Sequence, residues 1–248
     1  LVFITAGFGG GTGSGATAIV AEAAKEAGAL TIAVVTKPFS FEGGQRMRIA
    51  QEALEKIKQK VDAYIIIPND KLLEIAPELP IHTAFKVADE ILTNSVKGIT
   101  ELITKAGLVN LDFADVKAVM TNGGVSLIGI GESDTGDSRA KEAIERAINN
   151  PLLDVKIDKA KGALINIIGG SDLSLDEYKQ VMEIMGKKVA PDAKTISGAQ
   201  ISADMEKSIK VLLIVTGVES SQIIGASTTL SSAKDDLERE LGIDFLEE

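Results

Sequence analysis

Leu1-Val2-Phe3-Ile4-Thr5-Ala6, then Gly7-Phe8-Gly9-Gly10-Gly11-Thr12-Gly13-Ser14-Gly15, then an alanine-rich run to Ala27 reads as a β-strand, a glycine-rich turn and an α-helix. Six of the nine turn residues lack a Cβ, where one or two glycines serve for an ordinary strand-to-helix turn. Such a backbone reaches positive φ and lets a ligand approach its N–H groups. The helix that follows aims the positive end of its dipole, about half a charge, at the same spot. Phosphate suits that geometry. A Walker loop needs Gly-Lys followed by Ser or Thr, and no Lys follows any glycine of this turn. A dinucleotide pattern does match at Gly11, Gly13 and Ala16, yet the acidic residue it requires is missing from the next strand, Thr31-Ile32-Ala33-Val34-Val35-Thr36-Lys37. An NAD-dependent enzyme is therefore kept only as a minor alternative.

Composition narrows the chemistry. The 248 residues contain 26 Lys+Arg against 36 Asp+Glu, one His and no Cys. A Ser-His-Asp triad has only His82 to draw on, and a Cys nucleophile or a Cys/His zinc cluster is excluded. His82, just ahead of a long helical pattern, reads as a helix-start or surface residue. The work falls to carboxylates, amides, hydroxyls and backbone N–H groups. A formal charge of -10 disfavours a phosphate-backbone footprint, so nucleic acid is not an expected partner. No apolar run approaches the roughly 18 residues that span a bilayer, so direct membrane insertion is not expected. The lack of cysteine fits a reducing compartment or indifference to redox state, and a cytoplasmic setting is expected.

Outward from the turn, the first third alternates short β runs with helical patterns, the signature of βα units and a parallel sheet. Strands are expected at Leu30 to Val35 and Ala63 to Ile67, with a helix from about Gln45 to Lys60 between them. From Thr83 to Lys105, Phe85, Ala88, Leu92, Val96, Ile99 and Ile103 recur at steps of three and four, one stripe of a long helix. It would span roughly 35 Å. After Gly107 come a short helix at Asp112 to Met120, a strand Val125 to Ile130, a helix Ser138 to Ile148, a strand Ala163 to Ile168 and a helix Leu175 to Met185. Two β runs, Thr195 to Ile201 and Ile209 to Thr216, read as a hairpin. The expected organisation is an α/β nucleotide domain over 1–81, a connecting helix over 82–106, an α+β domain over 107–219 and a tail over 220–248.

The turn Gly9-Gly10-Gly11-Thr12-Gly13-Ser14-Gly15 is similar to the signature of the tubulin/FtsZ family. The likeness continues, in the family's order, through Thr36-Lys37-Pro38-Phe39-Ser40-Phe41-Glu42-Gly43-Gly44-Gln45-Arg46, Ile67-Pro68-Asn69-Asp70-Lys71-Leu72 and Asn110-Leu111-Asp112-Phe113-Ala114-Asp115-Val116. The wording Gly129-Ile130-Gly131-Glu132-Ser133-Asp134 looks archaeal rather than bacterial. The resemblance implies a tubulin-like GTPase of the cell-division ring that binds GTP/GDP with Mg2+ or K+ and assembles with itself head to tail.

Carried over residue by residue, the resemblance implies that Gly9, Gly10, Gly11, Thr12, Gly13, Ser14 and Gly15 hold the phosphates through backbone N–H groups. Glu42 and Arg46 would face the ribose and phosphates. Asn69 and Asp89 would bond the guanine edge, and Phe85 would stack on the ring. A carboxylate accepts from two adjacent N–H donors of guanine and finds no such pair on adenine. Three of these positions also have a plainer reading: Phe85 lies on the apolar stripe, and Glu42 and Arg46, four apart, form a surface ion pair. The implied catalytic group is Asn110, Asp112 and Asp115, on a loop that reaches the nucleotide of the next subunit and activates water there. Asp112 followed by Asp115 equally fits a helix N-cap with an acidic first turn, and the two readings are compatible.

A chain that opens at Leu1 within an apolar strand reads as a piece of something longer, expected on its own to bind GTP weakly or not at all. The acidic ending Leu241 to Glu248, apolar residues flanked by charge, reads either as the membrane-tether docking peptide that the resemblance implies or as a free terminus. A non-catalytic module that caps or inhibits filaments is the alternative to a GTPase subunit.

Overall fold

β2 (Thr31–Lys37) is buried from Thr31 through Thr36. Such a continuous apolar run suits a parallel strand covered on both faces. It pairs in parallel with β1 (Val2–Gly7) on one side and β3 (Ala63–Pro68) on the other. The crossovers are α1 (Thr12–Glu26) and α2 (Gly44–Ile57). The computed structural model describes residues 1–75, 80–105, 107–109, 112–153 and 157–218. The remaining elements are α3 (Asn69–Ile75), α4 (Ile81–Thr104), α5 (Phe113–Met120), β4 (Gly124–Ser133), α6 (Arg139–Ile148), β5 (Gly162–Gly169), α7 (Leu175–Gly186), β6 (Lys194–Ile201) and β7 (Ile209–Thr216).

Among the described residues seven strands form one sheet, in the order β1-β2-β3-β4-β7-β5-β6. β4 continues the parallel series beside β3 through Gly124 to Ser126, then runs antiparallel with β7. The expected hairpin of β6 and β7 is not formed. β5 lies between them, antiparallel to β7 and parallel to β6. The reason is burial: β7 is apolar and buried along nearly its whole length and takes a partner on each side, whereas β6 is only partly buried and closes the sheet as an edge.

Helix α4 lies against the sheet with a face of small and aliphatic residues inward. Ala84, Ala88, Ile91, Ser95, Gly98, Ile99 and Leu102 are its buried positions, while Phe85 is exposed. The buried stripe is thus turned from the one expected, and Leu92, Val96 and Ile103 flank it, packed against the core. Gly98 explains the turn, because a Cβ there would occupy the space of the Leu212 side chain. One apolar cluster around α4 joins Ile32, Val34, Ile65 and Ile67 to Ile128, Leu164, Leu212 and Ile214. The same device seats α6. Gly129 and Gly131 of β4 lie so close to the α6 carbonyls of Ala147 and Ala143 that no side chain fits between. Ala140, Ala143 and Ala147 are accordingly fully buried.

Arg139 ties α6 to α7. It is only 5% exposed. Its Nε donates to Glu177 Oε1 at 2.6 Å and its Nη1 to Asp172 Oδ2 at 2.6 Å. Glu177 in turn closes a capping box with Ser174 at the start of α7. On that helix Met185 is fully buried and Met182 half-buried.

Candidate functional site

The carboxyl ends of β1, β2 and β3 carry the glycine turn, the Phe39 to Arg46 segment and Asn69. In parallel α/β sheets ligands settle in this crevice. Gly9 has φ +104°, and a Cβ on it would come within 3.1 Å of the Arg46 carbonyl oxygen and 3.2 Å of Pro38 Cγ. Only glycine allows the turn to lie this close to α2. The Gly9 N–H donates to the buried Ser14 Oγ at 3.0 Å, which curls the turn over the start of α1. At Gly13 a Cβ would fall inside the contact shell of the Gly7 carbonyl. Around Gly10, Gly11 and Gly15 there is open space instead. Helix α1 has Gly11 at its N-cap, no side-chain cap and no acidic residue in its first turn. Its first N–H groups therefore face outward without an intrahelical acceptor. The result is a cradle lined by backbone donors.

Glu42 ends a 3-10 turn, Ser40–Glu42, that follows β2. Its Oε1 accepts from the Phe39 N–H at 2.9 Å and its Oε2 from Arg46 Nη1 at 2.7 Å. The i,i+4 pair anticipated from the spacing is formed, and the Arg46 side chain, 60% exposed, extends beside the turn. Asn69 is 5% exposed, and its Oδ1 has no hydrogen-bond partner among the described residues. A buried acceptor left unmade costs about 1–3 kcal/mol, so it marks a place for a donor. Phe85, 41% exposed, does not pack as core. Its ring meets that of Phe39 edge to face, with centroids 5.3 Å apart, and Phe39 stacks on Phe41 at 4.9 Å. Asp89 is exposed one turn further along α4, on the face of Phe85.

Four residues beside this crevice escaped the sequence reading. Phe39 and Phe41 stood in a quoted stretch without a role, although their spacing there was visible. Asp70 binds both the N–H and the hydroxyl of Ser40, a pairing across thirty positions that no local pattern announces. Lys37, at the end of β2, has its pKa lowered by burial, with Asp70 acting in the opposite sense.

Asn110 lies outside the described residues. Asp112 is the N-cap of α5: its Oδ1 accepts from the Asp115 N–H at 2.8 Å, while Asp115 Oδ2 accepts from the Asp112 N–H at 3.2 Å. The capping reading is thus realised. It uses one oxygen of each carboxylate and leaves Asp112 exposed. The stretch before it is held on the far edge of the sheet by the Leu108 N–H bond to the Ala199 carbonyl of β6, at 2.8 Å. Strands lie about 4.8 Å apart, so the acidic loop and the glycine turn of β1 are separated by roughly 25–30 Å. One chain does not bring them together. Among the described residues no cluster of three or more His, Asp or Glu side chains is placed to hold a metal ion. No described helix is long and apolar enough to cross a membrane.

A glycine cradle at the strand ends, with aromatic and amide groups beside it, places this chain among the α/β proteins whose parallel sheet opens a crevice at its strand ends. Residues 1–77 match the GTPase domain of the Tubulin/FtsZ family, and residues 124–219 match the FtsZ family C-terminal domain. Cell division protein FtsZ 1 of Thermococcus kodakarensis is 60% identical over 220 residues, 89% of this chain and 58% of its own length. Cell division protein FtsZ 1 of Archaeoglobus fulgidus is 52% identical over 99% of this chain and 65% of its own. The empty FtsZ dimer of Methanocaldococcus jannaschii superposes with a TM-score of 0.85 at 56% identity, covering 88% of this chain and 64% of that one. The chain belongs to the FtsZ branch of the tubulin/FtsZ family. It spans about three fifths of the length of the curated relatives it matches.

Proposed function

We propose that this chain binds GTP/GDP across the ends of β1, β2 and β3, and that hydrolysis is completed by the acidic loop of a second copy stacked head to tail. Its setting would be a cell-division filament in the cytoplasm, at the division site. The observation that carries the reading is the convergence at one sheet end of the outward N–H groups of α1, Arg46 packed on Gly9, and the buried, unpartnered Asn69 Oδ1.

In this reading the N–H groups of Gly10 to Ser14 hold the phosphates, since those of Gly9 and Gly15 are bonded to Ser14 Oγ and the Gly11 carbonyl, and Arg46, oriented by Glu42, adds a cation beside them. Asn69 Oδ1 and the Asp89 carboxylate take up guanine N–H donors, of which adenine lacks the N2 amine. Phe85 offers its exposed ring to the base. A cation, Mg2+ or K+, would supply charge neutralisation beside the phosphates when bound. On the partner subunit, the Asp112 oxygen that does not cap α5 accepts a proton from water as the water oxygen attacks the γ-phosphorus. The bond from that phosphorus to the bridging oxygen breaks, and GDP and inorganic phosphate are formed. Asp115 orients Asp112 through the capping box, and Asn110 is assigned a positioning role. A head-to-tail contact does not close on itself and so generates a filament. The ending Leu241 to Glu248 would recruit a membrane-tether protein.

Turnover per molecule should rise with protein concentration and vanish on dilution, and full turnover by a dilute monomer would refute the reading. Asp112→Asn separates the two roles of that residue. Asn caps as well as Asp, so stability should hold to within a few tenths of a kcal/mol while GTPase activity is lost. Asp112→Ala should lose the activity and about 1 kcal/mol of stability together. An Asp112→Asn protein with normal turnover would leave Asp112 only its cap.

A further inference from the structure

We infer that Asp70 is a positioning residue for guanine nucleotide, a clamp that holds the base and ribose side of the crevice in register with the strand end that carries Asn69. The inference rests on the proposed nucleotide site and adds to it a residue with no contact to the nucleotide. Asp70 follows Asn69 directly in the first turn of α3. Its Oδ1 accepts from the Ser40 N–H at 2.8 Å, and its Oδ2 accepts from the Ser40 hydroxyl. Ser40 opens the turn that ends at Glu42. On that turn Phe41 stacks on Phe39, Phe39 meets Phe85 edge to face, and Glu42 holds both the Phe39 N–H and Arg46. One carboxylate thus joins two segments thirty residues apart, and every side chain assigned to the base or ribose except Asp89 is tied to it within a few contacts.

The arrangement is worth more to a ligand than to the fold. Ser40 and Phe41 are exposed and bury nothing that needs the clamp. Freed of Asp70, the turn keeps its own Phe39 to Glu42 hydrogen bond and would move as a unit. The glycine cradle would be untouched, because Gly9 is held by Ser14, Pro38 and the α2 backbone at Arg46. Loss of the clamp should therefore weaken recognition of the nucleoside and spare recognition of the phosphates.

The test is a chemical-shift titration of the full 248-residue chain with GTP, ATP and inorganic triphosphate, a readout that reaches millimolar affinities. Two charge-assisted hydrogen bonds are removed by Asp70→Ala, which should weaken GTP by about ten-fold. Triphosphate binding should change by less than about two-fold. Ser40→Ala, which removes one bond and leaves α3 intact, should show the same selectivity at smaller size. The double variant should be no worse than Asp70→Ala alone, since both act through one contact. Asp70→Asn keeps an acceptor for the Ser40 N–H and should recover part of the loss. Equal GTP affinity in wild type and both single variants, or a parallel loss for triphosphate, would overturn the clamp and leave the nucleotide reading standing. A wild-type chain that does not prefer GTP to ATP would overturn the guanine reading and the clamp with it.

Discussion

Replacing Arg139 by Met removes four hydrogen-bond donors from between α6 and α7 while keeping the stem of the side chain. The guanidinium donates to Glu177 Oε1 at 2.6 Å and Oε2 at 3.1 Å, to Asp172 Oδ2 at 2.6 Å and to the Asp172 carbonyl at 3.2 Å. The Glu177 side chain, 15% exposed, would be left facing an apolar thioether. Removing one partner of a buried pair costs about 3–5 kcal/mol. Glu177 retains the Ser174 N–H and hydroxyl. Asp172, 44% exposed, returns to water at little loss. The lower end applies, about 3 kcal/mol.

The pH dependence has a definite sign. Burial pushes the Glu177 carboxyl up, but the bonds from Arg139 and Ser174 outweigh it and hold its pKa below the ordinary value. The Arg139 bond lowers the pKa of Asp172 as well. Stability from carboxyls depressed in the folded state is fully present above their unfolded values, about 3.9 for Asp and 4.3 for Glu, and is lost as pH falls through the folded ones. The difference between wild type and Arg139→Met in urea unfolding should therefore be constant near pH 7 and shrink below about pH 4. Glu177→Gln and the double variant complete a cycle whose coupling should exceed about 1 kcal/mol. A loss under about 1 kcal/mol at pH 7, or an equal loss in acid, would refute the assignment.

Gly9→Ala should destabilise the chain by about 2 kcal/mol in urea, since an L-residue is forced to positive φ against the Arg46 carbonyl, and should also weaken triphosphate binding. Burial lowers the pKa of Lys37, with Asp70 opposing, so its charge works against folding at neutral pH and the penalty fades as pH rises through the folded pKa. Lys37→Met should accordingly raise the melting temperature at pH 7, with an advantage that narrows toward pH 10. An unchanged melting temperature at pH 7 would show that the ammonium is not desolvated. Asp89→Asn exchanges a two-oxygen acceptor for a single one and should weaken GTP relative to ATP by about ten-fold, measured by competition.

How much of this was legible beforehand follows from the range of each interaction. The glycine turn, the βα alternation, the length of α4 and the Asp112 to Asp115 cap are written in neighbouring residues, because φ, helical periodicity and capping act over one to five positions. The α4 stripe was legible in period but not in phase, because the face that turns inward is chosen by the strand it meets, and Leu212 leaves room only for Gly98.

From its amino acids alone the chain determined a phosphate-ready turn on a parallel α/β scaffold and an acidic N-cap at the far end of a long helix. Tertiary structure alone decided that β7 enters between β4 and β5, that Arg46 packs on Gly9, that Asp70 holds Ser40, and that Asn69 buries an oxygen without a partner. Each of these is a contact between segments distant in sequence. Their pairing is set by which surfaces must be covered together, a condition that no single segment carries.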